Sequence, residues 1–228
     1  MKIIAHIETD FNTKFGVPRQ SGLCDELKGR IVFEPEFRRE EAFRGIEDFS
    51  HIWVLWKFSE AEREDWSPTV RPPRLGGNKR VGVFATRSPF RPNNIGLSCL
   101  KLEKVEYEEP DSPVLYVSGI DMMNGTPVFD IKPYIPVTDC KTDASDGFTQ
   151  YTKDYSLQVQ FSDEMLMKLP ENKRNGAFQM LSQDPRPSYI NDKDRVFGVE
   201  YAGFDIRFTV DCDVLTVCDV AELHEKDK

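Results

Sequence analysis

The residues best suited to chemistry lie in one stretch, 69–98, reading TVRPPRLGGNKRVGVFATRSPFRPNNIGLS. Arginines alternate there with prolines and glycines. Proline fixes the backbone, so Arg71-Pro72-Pro73-Arg74 and Arg91-Pro92-Asn93-Asn94 read as loops that hold guanidinium forks with little freedom left to lose on binding. Such forks suit phosphate or carboxylate, to which a planar guanidinium donates paired hydrogen bonds. For any one arginine, a tie to a neighbouring carboxylate or carbonyl is an equally ordinary use; the cluster says more than its members. Phe15-Gly16-Val17-Pro18-Arg19-Gln20-Ser21-Gly22 repeats the design near the start of the chain. By themselves Asp121 and Asn124-Gly125-Thr126-Pro127 read as turn residues.

Other chemistries find no footing. The glycine fingerprints that cradle nucleotide phosphates, GxGxxG after a strand and GxxxxGK before Ser or Thr, are missing. Three histidines and five scattered cysteines without a CxxC pair give no zinc-ligand spacing, so no metal is expected. The GxSxG elbow of serine hydrolases is absent, and Ser88, between Arg87 and Pro89, has no base partner in the sequence. Odd in number, the cysteines read as free thiols of a reducing compartment.

The elements that must position these residues are strands. Segments 2–7, 29–33, 52–58, 80–85, 97–107, 114–120 and 127–135 are rich in β-branched and aromatic residues, and Leu100-Lys101-Leu102-Glu103 alternates as a half-buried strand does. The one helix expected in this region is 38–46. So few crossover helices argue against a parallel α/β sheet and for an antiparallel β-barrel. From 136 to 155 the chain turns polar. Beyond it, a helix from Ser162 as N-cap to 169, a helical stretch over 176–183 and strands over 196–201, 204–210 and 214–220 make a small α+β unit. The expected organisation is mainly β: a barrel domain over 1–138, a linker over 139–155, and an α+β C-terminal domain over 156–228.

The charge is uneven. With 39 acidic against 30 basic residues the chain carries −9, which on its face argues against an anionic partner. Between Asp65 and Glu103, however, there is no acidic residue, while Arg71, Arg74, Lys79, Arg80, Arg87, Arg91 and Lys101 all fall inside the gap. A basic face on an acidic body is compatible with that pattern. The longest apolar run, Ile52-Trp53-Val54-Leu55-Trp56, is far short of the ~20 residues that span a bilayer, so no membrane partner is expected. The first ten residues lack the apolar core and cleavage site of a signal peptide, and a cytoplasmic location is expected.

FGVPRQSGL (15–23), GIEDFSHIWVLWKF (45–58), the 69–98 block, NGTPVFDIKPYIP (124–136) and QDPRPSY (183–189) together resemble the TrmO family, in the family's order. The resemblance implies a β-barrel methyltransferase, usually a homodimer, that uses S-adenosylmethionine to methylate N6 of N6-threonylcarbamoyladenosine beside the anticodon of threonine tRNA. Its cofactor contacts fall here on Pro18, Arg19, Gln20, Ser59, Glu60, Arg87, Leu97, Ile120 and Asp121. Ser59 and Glu60 stand where the pattern has His-Gln, and Asn124 where Asp is usual.

An N6 flanked by a carbonyl is a poor nucleophile until its proton leaves, so a base is expected near it, with Asp121, Asp130 or Tyr134 as candidates. Arg71, Arg74, Lys79, Arg80, Arg91 and Arg186 are the expected tRNA contacts, and Phe90, Trp66 or Tyr189 could support an unstacked base. Two rivals remain at this level: a non-catalytic RNA-binding barrel, and a barrel for a nucleotide-like metabolite.

Overall fold

The alternation in the first half of the chain closes into a six-stranded barrel. In this computed structural model, which describes residues 1–61, 66–72, 75, 79–151, 155–187, 190 and 192–223, the strands are β1 (Ala5–Thr9), β2 (Lys28–Phe33), β3 (His51–Lys57), β6 (Ile95–Glu106), β7 (Val114–Ser118) and β8 (Thr126–Pro133). A short hairpin of β4 (Thr69–Val70) and β5 (Val81–Gly82) interrupts the run from β3 to β6. Around the barrel the order is β1-β2-β7-β6-β3-β8, every neighbour antiparallel. Side chains alternate across each strand, so Ile52, Val54 and Trp56 of β3 and Leu100 and Leu102 of β6 turn inward and are buried with Ile7, Ile31, Leu115 and Val128.

Antiparallel pairing fixes where the connections emerge. Thr9 pairs with Gly29, Lys28 with Ser118, and Lys57 with Ile95, so the connections 10–27, 58–94 and 119–125 all leave from one end of the barrel. That end carries most of the residues singled out in the sequence.

After the barrel come α1 (Pro136–Asp139) and a four-stranded sheet in the order β10 (Phe197–Tyr201), β11 (Phe204–Asp211), β12 (Val214–Glu222) and β9 (Gln158–Gln160), with α2 (Asp163–Met167) and α3 (Glu171–Ser182). Ser162 caps α2 as its composition requires, its Oγ accepting from Met165 N at 3.3 Å. Ala202 and Cys212 adopt positive φ in the two tight turns between the last strands. The sheet and α3 share one buried core with the barrel. Phe11 packs on Tyr201 with ring centroids 5.4 Å apart, Lys173 Nζ pairs with Asp10 at 2.5 Å, and Gln179 Oε1 accepts from Glu26 N at 3.0 Å.

Several expectations need correction. The segment 38–46 is not a helix but two separate single turns of 3-10 type, Glu40–Ala42 and Ile46–Asp48, split by Gly45 at φ 89°. Its charged sequence offers one buried side chain, Phe43, which meets Phe33 edge-on, and a lone apolar residue makes no helical stripe. The expected strand 80–85 shrinks to β5 because residues Val83–Ala85 wind into a 3-10 turn. The second helix begins earlier, at Glu171, and β9, parallel to β12, was not foreseen: three residues are too few for a visible alternation. Among the described residues no helix is long and apolar enough to cross a membrane.

Candidate active site

Where β6 and β7 part, a loop takes the place of a strand. β6 pairs with β7 only from Lys101 onward, so the edge of β6 between 95 and 100 has no strand partner on that side. The loop after β1 fills the seam: Ser21 Oγ accepts from Cys99 N at 3.1 Å, and Gly22 N donates to Gly119 O at 2.9 Å. Gly119 has φ 75°, and a Cβ there would come within 3.3 Å of the Gly22 backbone, so glycine is what permits the approach. Pro18, buried, fixes the entry to this loop.

Asp121 sits in the seam at the loop-bearing end. Ser98, fully buried on the inner face of β6, donates its hydroxyl to Asp121 Oδ1 at 2.6 Å, and Trp56 Nε1 donates to Ser98 Oγ at 2.8 Å. The indole lies flat on Gly96, where a Cβ would be 2.2 Å from the ring. Burial pushes the Asp121 carboxyl up to about 6, although the Ser98 hydroxyl, the Ser21 and Asp121 backbone N–H groups and the Arg87 charge pull the other way. A carboxylate poised there can take a proton near neutral pH. Arg87 Nη1 donates to Gln20 Oε1, and Gln20 Nε2 donates to Arg19 O at 2.5 Å. The structure thus gathers Pro18, Arg19, Gln20, Arg87, Ile120 and Asp121. Ile120, 1% exposed, turns its side chain into the core toward Gly29 and anchors the backbone that carries Asp121.

Ser59 and Glu60 lie at the same end, exposed on the turn that follows β3, where Phe58 N donates to Asn94 O at 3.0 Å. Leu97 is half exposed and, by alternation, faces away from Ser98 on the outside of the barrel. Asn124 braces the base of the site, its Oδ1 accepting from Thr9 N at 3.1 Å, a task an aspartate oxygen performs equally well.

Asp130 and Tyr134 are not part of this cluster. β8 runs away from the loop-bearing end, and Asp130 pairs with Leu55 on the outer surface, its Oδ2 3.1 Å from Lys132 Nζ. Tyr134 lies further along, its N donating to His51 O and its ring 5.6 Å from Trp53. The strand-end reasoning that grouped them with Asp121 ignored that β7 and β8 end at opposite rims. What the sequence reading missed is the pair Ser98 and Trp56. A small polar residue among the inward positions 96, 98, 100 and 102 was the available signal.

The cationic candidates divide. Arg71, Lys79 and Arg80 are exposed in the 58–94 connection, Arg80 Nη1 donating to Thr69 Oγ1 at 2.9 Å. Arg91 is half-buried, and its Nη1 donates to Thr86 O at 2.8 Å. Arg186 is held inside: its fork meets Asp184 at 2.8 and 2.9 Å, with Tyr155 Oη donating to the same carboxylate at 2.6 Å. Burial raises the Asp184 carboxyl, but the Arg186 and Tyr155 hydrogen bonds outweigh it and hold the group below the ordinary carboxylate range. Arg74 and Tyr189 lie outside the described residues.

Two family models match the chain, the tRNA-methyltransferase O N-terminal domain over residues 6–140 and the TrmO C-terminal domain over 154–223. A tRNA (adenine(37)-N6)-methyltransferase of Escherichia coli is 40% identical over 215 residues, 91% of each chain. A Pseudomonas aeruginosa protein whose name describes an S-adenosylmethionine-dependent methyltransferase is 37% identical over 227 residues, 96% of each chain. A crystal structure of TrmO from Pseudomonas aeruginosa superposes with a TM-score of 0.76 at 33% identity, covering 96% of this chain and 97% of that one.

Proposed function

The chain belongs to the TrmO, or tRNA-methyltransferase O, family, and on that premise we propose that it transfers a methyl group from S-adenosylmethionine to N6 of adenosine 37 of tRNA, beside the anticodon. The observation that carries the reading is the half-buried Asp121 carboxylate, held by Ser98 and set beside the Arg87–Gln20 pair at the loop-bearing end of the barrel. A cationic fork for a carboxylate, backbone and apolar walls and one ionisable acid fit the amino acid moiety and charge of S-adenosylmethionine. When bound, that cofactor supplies an electrophilic methyl on a sulfonium. Arg87, Arg19 and Gln20 would hold its carboxylate, Pro18 and the Ile120 backbone would wall it, and Ser59 and Glu60 would border it from the turn after β3.

Asp121 would act as the proton acceptor. An N6 that carries a threonylcarbamoyl group bears a proton made acidic by the adjoining carbonyl, and a carboxylate with pKa about 6 is ionised at neutral pH and ready to receive it. That match supports the finer substrate we infer, N6-threonylcarbamoyladenosine of threonine tRNA. Arg71, Arg74, Lys79, Arg80 and Arg91 would bind the tRNA backbone, and Arg186 would shape the C-terminal unit instead. A homodimer that covers the exposed Leu97, a cytoplasmic location, and a division into barrel (1–138), linker (139–155) and C-terminal domain (156–228) complete the proposal.

The test is incubation with labelled S-adenosylmethionine and threonine tRNA carrying or lacking the threonylcarbamoyl group, followed by nucleoside analysis. Methylated product from the modified tRNA alone, lost with Arg87→Ala together with cofactor affinity, is expected. Cofactor binding with no product from either tRNA would overturn the acceptor assignment.

A further inference from the structure

The connection that carries Arg87 also raises two aromatic rings into solvent. Trp66 is 49% exposed and Phe84 71%, yet the two stack on each other with centroids 5.9 Å apart and planes 28° from parallel. Single exposed aromatics are common on protein surfaces; a braced pair is not accounted for by chance exposure. The bracing is specific. Pairing of Thr69 with Gly82 and Val70 with Val81 holds the two flanks together, and Val83 N donates to Pro68 O at 3.0 Å. Val83, 1% exposed, pins the turn that presents Phe84. The Arg91 guanidinium lies 6.0 Å from the Phe84 ring centroid, and its Nη1 bond to Thr86 O keeps it there.

We propose that Trp66 and Phe84 form a stacking platform for an unpaired nucleobase of the tRNA anticodon loop, next to the adenosine that is methylated. Three features favour RNA over an apolar partner. No acidic residue occurs between Asp65 and Glu103, and Arg71, Lys79, Arg80 and Arg91 belong to the same connection as the pair. A guanidinium beside an aromatic face adds cation–π attraction to whatever stacks there. Phe84 is also three residues from Arg87, so a base held on the platform stays near the site. Anticodon-loop bases are already unpaired, and every base offers a π face, so such a platform orients the loop without reading its sequence.

This inference rests on the tRNA reading above, and the experiment separates the two. Full-length wild type, Phe84→Ala, Phe84→Tyr and Trp66→Ala are compared for methylation of threonine tRNA, for S-adenosylmethionine affinity, and for binding of an anticodon stem-loop RNA and of a loopless duplex of the same stem. The expected result is a rise of roughly tenfold in KM for tRNA and in Kd for the stem-loop with either alanine variant. Duplex and cofactor binding should be unchanged, and Phe84→Tyr should behave as wild type. Wild-type methylation with unaltered KM and stem-loop affinity in both alanine variants would overturn the platform alone. Failure of Phe84→Tyr to rescue would do the same. So would a change of oligomeric state with Phe84→Ala, because the rings would then be a subunit contact. A wild-type protein that neither binds nor methylates tRNA would overturn platform and functional reading together.

Discussion

Ser98 and Asp121 share a single committed proton: the Ser98 hydroxyl donates to Asp121 Oδ1 at 2.6 Å while its oxygen accepts from Trp56 Nε1 at 2.8 Å. The indole has one N–H, and Ser98 has one O–H, so the direction of the chain of bonds is fixed. Asp121 is therefore held as an acceptor, with the Ser21 and Asp121 backbone N–H groups as further donors to it.

Asp121→Asn should raise stability while abolishing turnover. The folded carboxyl titrates at about 6 against an ordinary 3.8, so the fold prefers the protonated form. That preference is fully present below pH 3.8 and is lost as pH rises to about 6. At pH 7 the asparagine variant should be more stable by up to about 3 kcal/mol, and near pH 3.5 the difference should vanish. Urea unfolding at both pH values checks this. If Asp121 is the base, log kcat/KM of the wild type should fall below about pH 6, and Ser98→Ala should move that limb upward by removing a bond to the ionised form. Asp130→Asn and Tyr134→Phe should leave the profile intact.

Gly96→Ala should injure the site from within the barrel wall, through Trp56. The new Cβ would fall 2.2 Å from the Trp56 ring, and the indole is boxed in by Phe58 at 4.2 Å between centroids. Overpacking of this kind costs about 1–3 kcal/mol. Displacing the indole should also release Ser98, so activity should drop with a shifted pH limb rather than with a weaker tRNA KM. A variant with normal activity and normal thermal unfolding would contradict the relay.

Arg186→Met should unfold the C-terminal unit more readily than the double variant Asp184→Asn/Arg186→Met. Removing the cation alone strands a buried carboxylate, at a cost of about 3–5 kcal/mol, whereas removing both charges is much milder. The native pair stabilises the fold above the unfolded carboxylate pKa of 3.8, and that contribution is lost as pH falls through the lower folded value. A double-mutant cycle by chemical denaturation measures the coupling.

Gly176→Ala should destabilise despite alanine's better helix propensity, which is worth about 1 kcal/mol. On α3 the added Cβ would sit 2.3 Å from the Tyr201 hydroxyl and 3.0 Å from Leu27. In a Tyr201→Phe background the hydroxyl is gone, and most of the cost should go with it. Equal penalties in both backgrounds would mean that α3 does not press on β10 this closely.

The barrel was legible in the sequence because its strands alternate over long stretches, as in residues 95–106, where each inward residue is small or apolar. The site was legible in its loops, where proline and arginine stand together. It was not legible in its wall. Ser98 and Trp56 sit 42 residues apart and meet only because Trp56 pairs with Gly96 across β3 and β6, a register no single segment encodes. The same blindness misplaced Tyr134, since nearness to a strand end does not say which rim that end belongs to. Arg186 shows the converse: an arginine beside prolines can be spent on its own neighbour, Asp184.

The acid-free stretch on a chain of charge −9 has a kinetic consequence. Most orientations in which a polyanion approaches such a body are repelled, and only those that bring it toward the basic connection are drawn in. Encounter is thus filtered before any contact forms, and the filter works by aim rather than by strength. Added salt should slow productive encounters and at the same time lift the barrier to unproductive ones, so discrimination among RNAs should fade faster with ionic strength than overall affinity does.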